Sequence, residues 1–77
     1  MEVGKVNRIL DIYTRLLEGE SIYKGKDAQY YHVSERSIQR DIEDIQIYLE
    51  AAAMQRESLP SLIYDRVAKS YRIVGKI

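Results

Sequence analysis

Ile38, Ile42, Ile45 and Leu49 recur at intervals of 4, 3 and 4 residues. That spacing lays four large aliphatic side chains along one stripe of an α-helix. Ser34 precedes the stripe as a residue of N-cap type, and Glu35 falls in the first turn, toward the positive end of the helix dipole. A helix is therefore expected over residues 35–54. Only His32-Val33-Ser34 separates it from a shorter helical segment, 24–31, in which Ala28 and Tyr31 share a face and Gly25 lies in the first turn, where its cost is small. Two helices joined by three residues have few ways to pack, and the helix-turn-helix is the usual one.

The flanks complete the arrangement. Residues 4–18 carry Val6, Ile9, Leu10, Tyr13, Leu16 and Leu17 in the amphipathic pattern of a further helix, with Gly19 placed to end it. Ser21-Ile22-Tyr23 is a short connector of β-prone residues. Glu57-Ser58-Leu59-Pro60-Ser61, with the only proline, is a loop. Two strands follow, 62–65 and 70–74, in which Ile63 and Tyr71/Ile73 alternate with polar neighbours. The turn between them, Arg66 to Lys69, lacks Asn-Gly or Asp-Gly and reads as a four-residue or looser loop. The expected class is mainly α with a C-terminal β-hairpin: a winged helix-turn-helix of three helices and a wing, one domain over residues 1–77.

Composition narrows the chemistry. The chain has 77 residues, enough for one small domain with a thin core. Cysteine is absent, which excludes disulfides and thiolate metal sites, and a single His leaves no zinc-binding spacing. The four glycines are scattered and form no phosphate-cradling loop. No Ser-His-Asp spacing is present, and Glu43 and Asp44, adjacent on a helix, point about 100° apart. Neither an enzyme nor a cofactor is expected. The longest apolar run is far short of the roughly 20 residues of a membrane helix. The Met1-Glu2-Val3-Gly4-Lys5 start has no apolar h-region, so a cytoplasmic, nucleoid-associated protein is expected, and the chain reads as the first domain of a longer one.

Lys plus Arg equals Asp plus Glu at 12 each, and zero net charge argues weakly against a nucleic-acid ligand. The distribution argues the other way. Residues 20–40 hold Lys24, Lys26, Arg36 and Arg40 against three acids, and residues 58–77 hold Arg66, Lys69, Arg72 and Lys76 against Asp65 alone. Between them Asp41, Glu43, Asp44, Glu50 and Glu57 face only Arg56, with Asp41-Glu43-Asp44 read as a solvated acidic face.

The run Asp27-Ala28-Gln29-Tyr30-Tyr31-His32-Val33-Ser34-Glu35-Arg36-Ser37-Ile38-Gln39-Arg40-Asp41-Ile42 resembles the DeoR-type helix-turn-helix, which reads Leu-Ala-x-x-Phe-x-Val-Ser-x-Arg-Thr-Ile-x-Arg-Asp-Ile/Leu. Ile63-Tyr64-Asp65-Arg66 and Ser70-Tyr71-Arg72-Ile73 resemble the wing of bacterial WYL-domain transcriptional regulators. The resemblance spans nearly the whole chain. It implies the N-terminal DNA-binding domain of such a regulator, followed in the full-length protein by a ligand-sensing domain. Three residues depart from the pattern: Asp27 stands for the usual Leu, which implies looser docking of the second helix; His32 stands in the turn where Gly is common; Ser70 stands for a common Gly of the wing.

The residues support the same reading on physical grounds. At 100° per residue, Arg36 and Arg40 lie about 160° from Ile38, opposite the buried stripe and one turn apart. Arg bonds guanine O6 and N7 in bidentate fashion, and Gln39 suits adenine. Arg36, Ser37, Gln39 and Arg40 are the expected base contacts. Ser34, Tyr23, Lys24, Lys26, Arg66, Lys69 and Arg72 are the expected backbone contacts, which position a protein on the duplex and dominate affinity. Ile47, on the back of the long helix, with Tyr48, Ala51 and Met54, is a candidate contact for a second copy or a following domain, and a homodimer reading two half-sites is expected. The first helix is an alternative surface for that contact. The rival function is a winged helix used for protein interaction or dimerisation without DNA readout.

Overall fold

The computed structural model describes residues 4–55 and 60–75, so Glu57, Ser58 and Leu59 of the expected loop lie outside the described residues. Helices α1 (Lys5–Leu17), α2 (Lys24–Tyr31) and α3 (Glu35–Ala53) precede strands β1 (Ser61–Asp65) and β2 (Ser70–Val74). The strands pair antiparallel, Ser61 with Val74 through Asp65 with Ser70, around the four-residue turn 66–69. Three helices and a hairpin make a winged helix-turn-helix. No helix among the described residues is long and apolar enough to cross a membrane.

Local chemistry accounts for the helix ends. The Ser34 hydroxyl accepts the Ser37 N–H at 3.1 Å and caps α3. α1 and α2 both close with a Schellman motif. In α1 the Glu20 N–H reaches the Arg15 carbonyl and the Gly19 N–H that of Leu16, with Gly19 at φ 93°. In α2 the Val33 N–H reaches Ala28 and the His32 N–H reaches Gln29, with His32 at φ 60°, ψ 46°. A side chain in this left-handed region costs about 1–2 kcal/mol. His32→Gly is therefore expected to raise stability by about 0.5–1 kcal/mol, part of the gain being offset by the freer unfolded chain. A thermal melt that leaves the variant unchanged or lowers its midpoint contradicts strain at this turn.

The core gathers Ile12 and Leu16 of α1, Ile22, Ala28 and Tyr31 around α2, Ile38, Ile42, Ile45 and Leu49 of α3, and Leu62 of β1. Ile22 does more than connect: its backbone exchanges two 2.8 Å hydrogen bonds with Tyr71, adding a third, one-residue rung to the hairpin. The register sets Leu62 opposite Ile73 and Ile63 opposite Arg72. The buried phase of β1 is thus carried by Leu62, and Ile63 lies on the other face from Tyr71 and Ile73.

Two electrostatic joints orient the helices. On α1 the core-facing stripe is Arg8, Ile12 and Leu16, while Val6, Leu10 and Leu17 of the expected stripe point outward. The helix is turned by about 100° from the face that hydrophobicity alone selects. The cause is Arg8, whose guanidinium pairs with the buried Asp41 carboxylate through Nε–Oδ2 and through Nη2–Oδ1 at 3.1 Å. Asp41 is 0% exposed, so the expected solvated face Asp41-Glu43-Asp44 is corrected: Asp41 belongs to the α1–α3 interface.

The second joint ties α1 to α2. Arg15 donates to Asp27 at 2.6 Å, to the Tyr31 hydroxyl at 3.1 Å and to Glu20 at 2.8 Å. Asp27 also accepts the Tyr23 N–H at 2.9 Å, satisfying the backbone donor of the residue that precedes α2. Asp27 is buried here and clamps α2, the reverse of the looser docking expected from its departure from Leu. The Tyr31 hydroxyl donates to Asp11 at 2.5 Å. Burial, then the bond to Asp11, push its pKa from 10.0 up to about 12, against the opposing pull of Arg15. A pKa raised on folding favours the protonated folded state. That stability is full below pH 10 and is lost as pH climbs from about 10 to 12. Tyrosine absorbance is expected to show one residue titrating last, together with unfolding. A titration in which Tyr31→Phe leaves the alkaline limit in place contradicts this.

Candidate nucleic-acid interface

The N-terminal half of α3 presents Arg36, Gln39 and Arg40 to solvent, with Ser37 half-buried beside them. Neither arginine makes an ion pair or side-chain hydrogen bond among the described residues. Along α3, Asp41 is taken by Arg8, Asp44 pairs with Lys5 at 3.7 Å, and Glu43 accepts from the Gln39 amide at 3.4 Å. Arg36 and Arg40 stand on the exposed face of α3 without an ion-pair partner among the described residues.

Ser34 and Ser37 face each other with hydroxyls 3.2 Å apart, and Ser34 is committed to its cap. Gln39 is held from both sides. Its carbonyl oxygen accepts from Lys24 Nζ at 3.5 Å, and its amide donates to Glu43 at 3.4 Å. These contacts are long and exposed, so they orient the amide at little energetic cost to any exchange for another partner. The Lys24 contact also brings the start of α2 against the reading half of α3. Next to it, Lys26 stands 5.8 Å over the Tyr23 ring, and Ile22 is bridged to Tyr71 of the wing. Tyr23, Lys24, Lys26, Gln39 and the root of the wing are thereby contiguous. Across a cleft from Tyr71 stand Gln39, Glu43, Gln46 and Ile47.

The wing's tip is built by Asp65. Its carboxylate accepts the Val67 N–H at 2.9 Å and the Ala68 N–H at 3.1 Å, and these bonds, that of Ala68 foremost, hold its pKa below 3.8. Lys69 closes the turn in the left-handed region at φ 57°. Arg66, Lys69 and Arg72 are exposed on the wing, and so is Val67 at the tip, an apolar residue between basic ones that the alternation pattern does not flag.

The expected assembly patch is divided by the fold. Ile47 lies on the wing side of α3, by the cleft with Tyr71, and Met54 is exposed. Tyr48 instead meets Tyr13 of α1 edge-on, and Ala51 shares a shallow groove with Tyr48. Among the described residues no group of three His, Asp or Glu side chains is close enough to hold a metal ion. Scans against protein-family models, curated proteins and solved structures find no match for this chain.

Proposed function

We propose that this domain binds double-stranded DNA sequence-specifically, with the N-terminal half of α3 in the major groove and the wing along the backbone. The observation that carries the reading is the pair of arginines, Arg36 and Arg40, one turn apart on the exposed face of α3 and without an ion-pair partner among the described residues. Arg36 and Arg40 read guanines, and Gln39 exchanges Lys24 and Glu43 for a base edge. Tyr23, Lys24 and Lys26 on one side, and Arg66, Lys69 and Arg72 on the other, take phosphates. The domain serves as the N-terminal part of a bacterial transcriptional regulator of the DeoR and WYL type that its sequence resembles, with a ligand-sensing domain following and the regulator acting as a homodimer in the cytoplasm.

The exposed apolar side chains of α1 and Tyr48 favour a second reading, a winged helix that binds protein alone. Fluorescence anisotropy against a labelled mixed-sequence duplex separates the two. DNA binding predicts micromolar affinity that falls steeply with salt, by a log–log slope of about −0.9 for each phosphate neutralised. Absence of binding at low salt moves the protein-interaction reading to first place.

A further inference from the structure

α1 carries more apolar surface than the described residues cover. Opposite the inward Arg8, Ile12 and Leu16, a second stripe of Val6, Leu10, Tyr13 and Leu17 lies within an arc of about 60°. Val6 is 70% exposed, Leu10 57% and Leu17 39%. Tyr13 packs edge-on against Tyr48, which is itself 51% exposed. Ile9, Leu10, Tyr13, Ile45 and Tyr48 line an apolar groove between the two helices, and Asp44 at its rim is neutralised by Lys5.

We propose that this stripe joins two copies of the chain by antiparallel pairing of α1 with α1. The spacing of Val6, Leu10, Tyr13 and Leu17 is 4, 3, 4, symmetric about its own midpoint. A two-fold axis there sets Val6 against Leu17 of the second copy and Leu10 against its Tyr13, an isologous contact in which one patch serves both partners. The spacing is also that of a two-helix seam packed knobs into holes. The residues flanking the seam toward solvent, Asn7 and Thr14, are uncharged, so two identical surfaces meet there without like-charge repulsion. With Tyr13 and Tyr48 the stripe exposes roughly 500 Å² per copy, and the pair joins about 1,000 Å², the lower bound of a specific interface. That area places the dimer at the weak end of specific interfaces, and it spares the exposed arginine face of α3.

This pairing rests on the homodimer of the proposed function and gives it a surface. The test uses the whole chain and no DNA, so its failure leaves the DNA-binding part of that reading to its own experiment. Sedimentation equilibrium from micromolar to submillimolar concentrations is expected to show a monomer–dimer equilibrium, and Leu10→Glu to weaken it at least tenfold without lowering the thermal midpoint of the dilute protein. Because the chain has no cysteine, orientation is read by cross-linking. Val6→Cys mixed with Leu17→Cys is expected to give a disulfide-linked pair on mild oxidation, while each variant alone stays largely uncoupled. A monomer at all concentrations, a dimer indifferent to Leu10→Glu, or single variants that couple as well as the mixture overturns the proposal, the first leaving the stripe to a different protein.

Discussion

Replacing Arg36 and Arg40 together by Ala is expected to weaken duplex binding by at least 30-fold and leave the fold intact. Each bidentate guanine contact is worth about 1–3 kcal/mol of discrimination, and two contacts one turn apart add to about 2–6 kcal/mol when they act independently. Both side chains are exposed and unpaired among the described residues, so truncation removes no packing and orphans no partner. The loss is expected in specific binding above all, with the phosphate contacts of the wing and of α2 sustaining weak, salt-sensitive association. Arg→Lys at both positions keeps the charge but loses the planar fork, and is expected to retain salt-dependent affinity while losing preference between sequences. Anisotropy with the two variants and the parent protein decides it. Equal affinity in all three removes α3 as the reader.

Asp41→Ala is expected to cost about 3–5 kcal/mol, because it leaves the Arg8 guanidinium buried without a counter-charge. Arg8 has no neutral form to retreat to, because a guanidinium stays protonated in proteins whatever its neighbours. Domains of this size are commonly stable by only about 5–10 kcal/mol, so the loss takes most of the margin, a fall of roughly 15–30 °C in thermal midpoint. Arg8→Met combined with Asp41→Leu removes both charges and fills the space with apolar volume. Such replacements are often neutral or stabilising, so the double variant is expected to recover most of the lost stability. It is also expected to bind duplex DNA, because its α3 arginines still lack paired carboxylates. Circular dichroism melts give the first result and anisotropy the second. An Asp41→Ala melt within a few degrees of the parent shows that the pair is solvated rather than buried.

Several elements of this fold are legible in the chain because their causes are local. The α3 stripe, its Ser34 cap, the three-residue joint at His32-Val33-Ser34 and the Gly19 helix end each depend on residues within one or two turns of one another. The exposure of Arg36 and Arg40 also follows from position alone, once the buried stripe of α3 is known. The strand register is harder to read. Leu62 and Ile63 are both β-prone and apolar, and only the pairing with Ile73 and Arg72 decides which of them the core receives.

What the amino-acid sequence by itself determined was therefore the class of fold, the order of its elements and the side of α3 that carries its arginines. These rest on helical periodicity, capping and turn chemistry, which act over a few residues. Only the tertiary structure decided the rotation of α1, the burial of Asp41 and the role of Asp27. Arg8 and Asp41 are 33 residues apart, and Arg15 and Asp27 are 12 apart. A charge on an amphipathic helix reads as solvated until a counter-charge from another element meets it in the core. That meeting turns Val6, Leu10 and Leu17 outward. The apolar stripe of α1 is thus a consequence of ion pairing across the chain, while the arginine face of α3 follows from helical position.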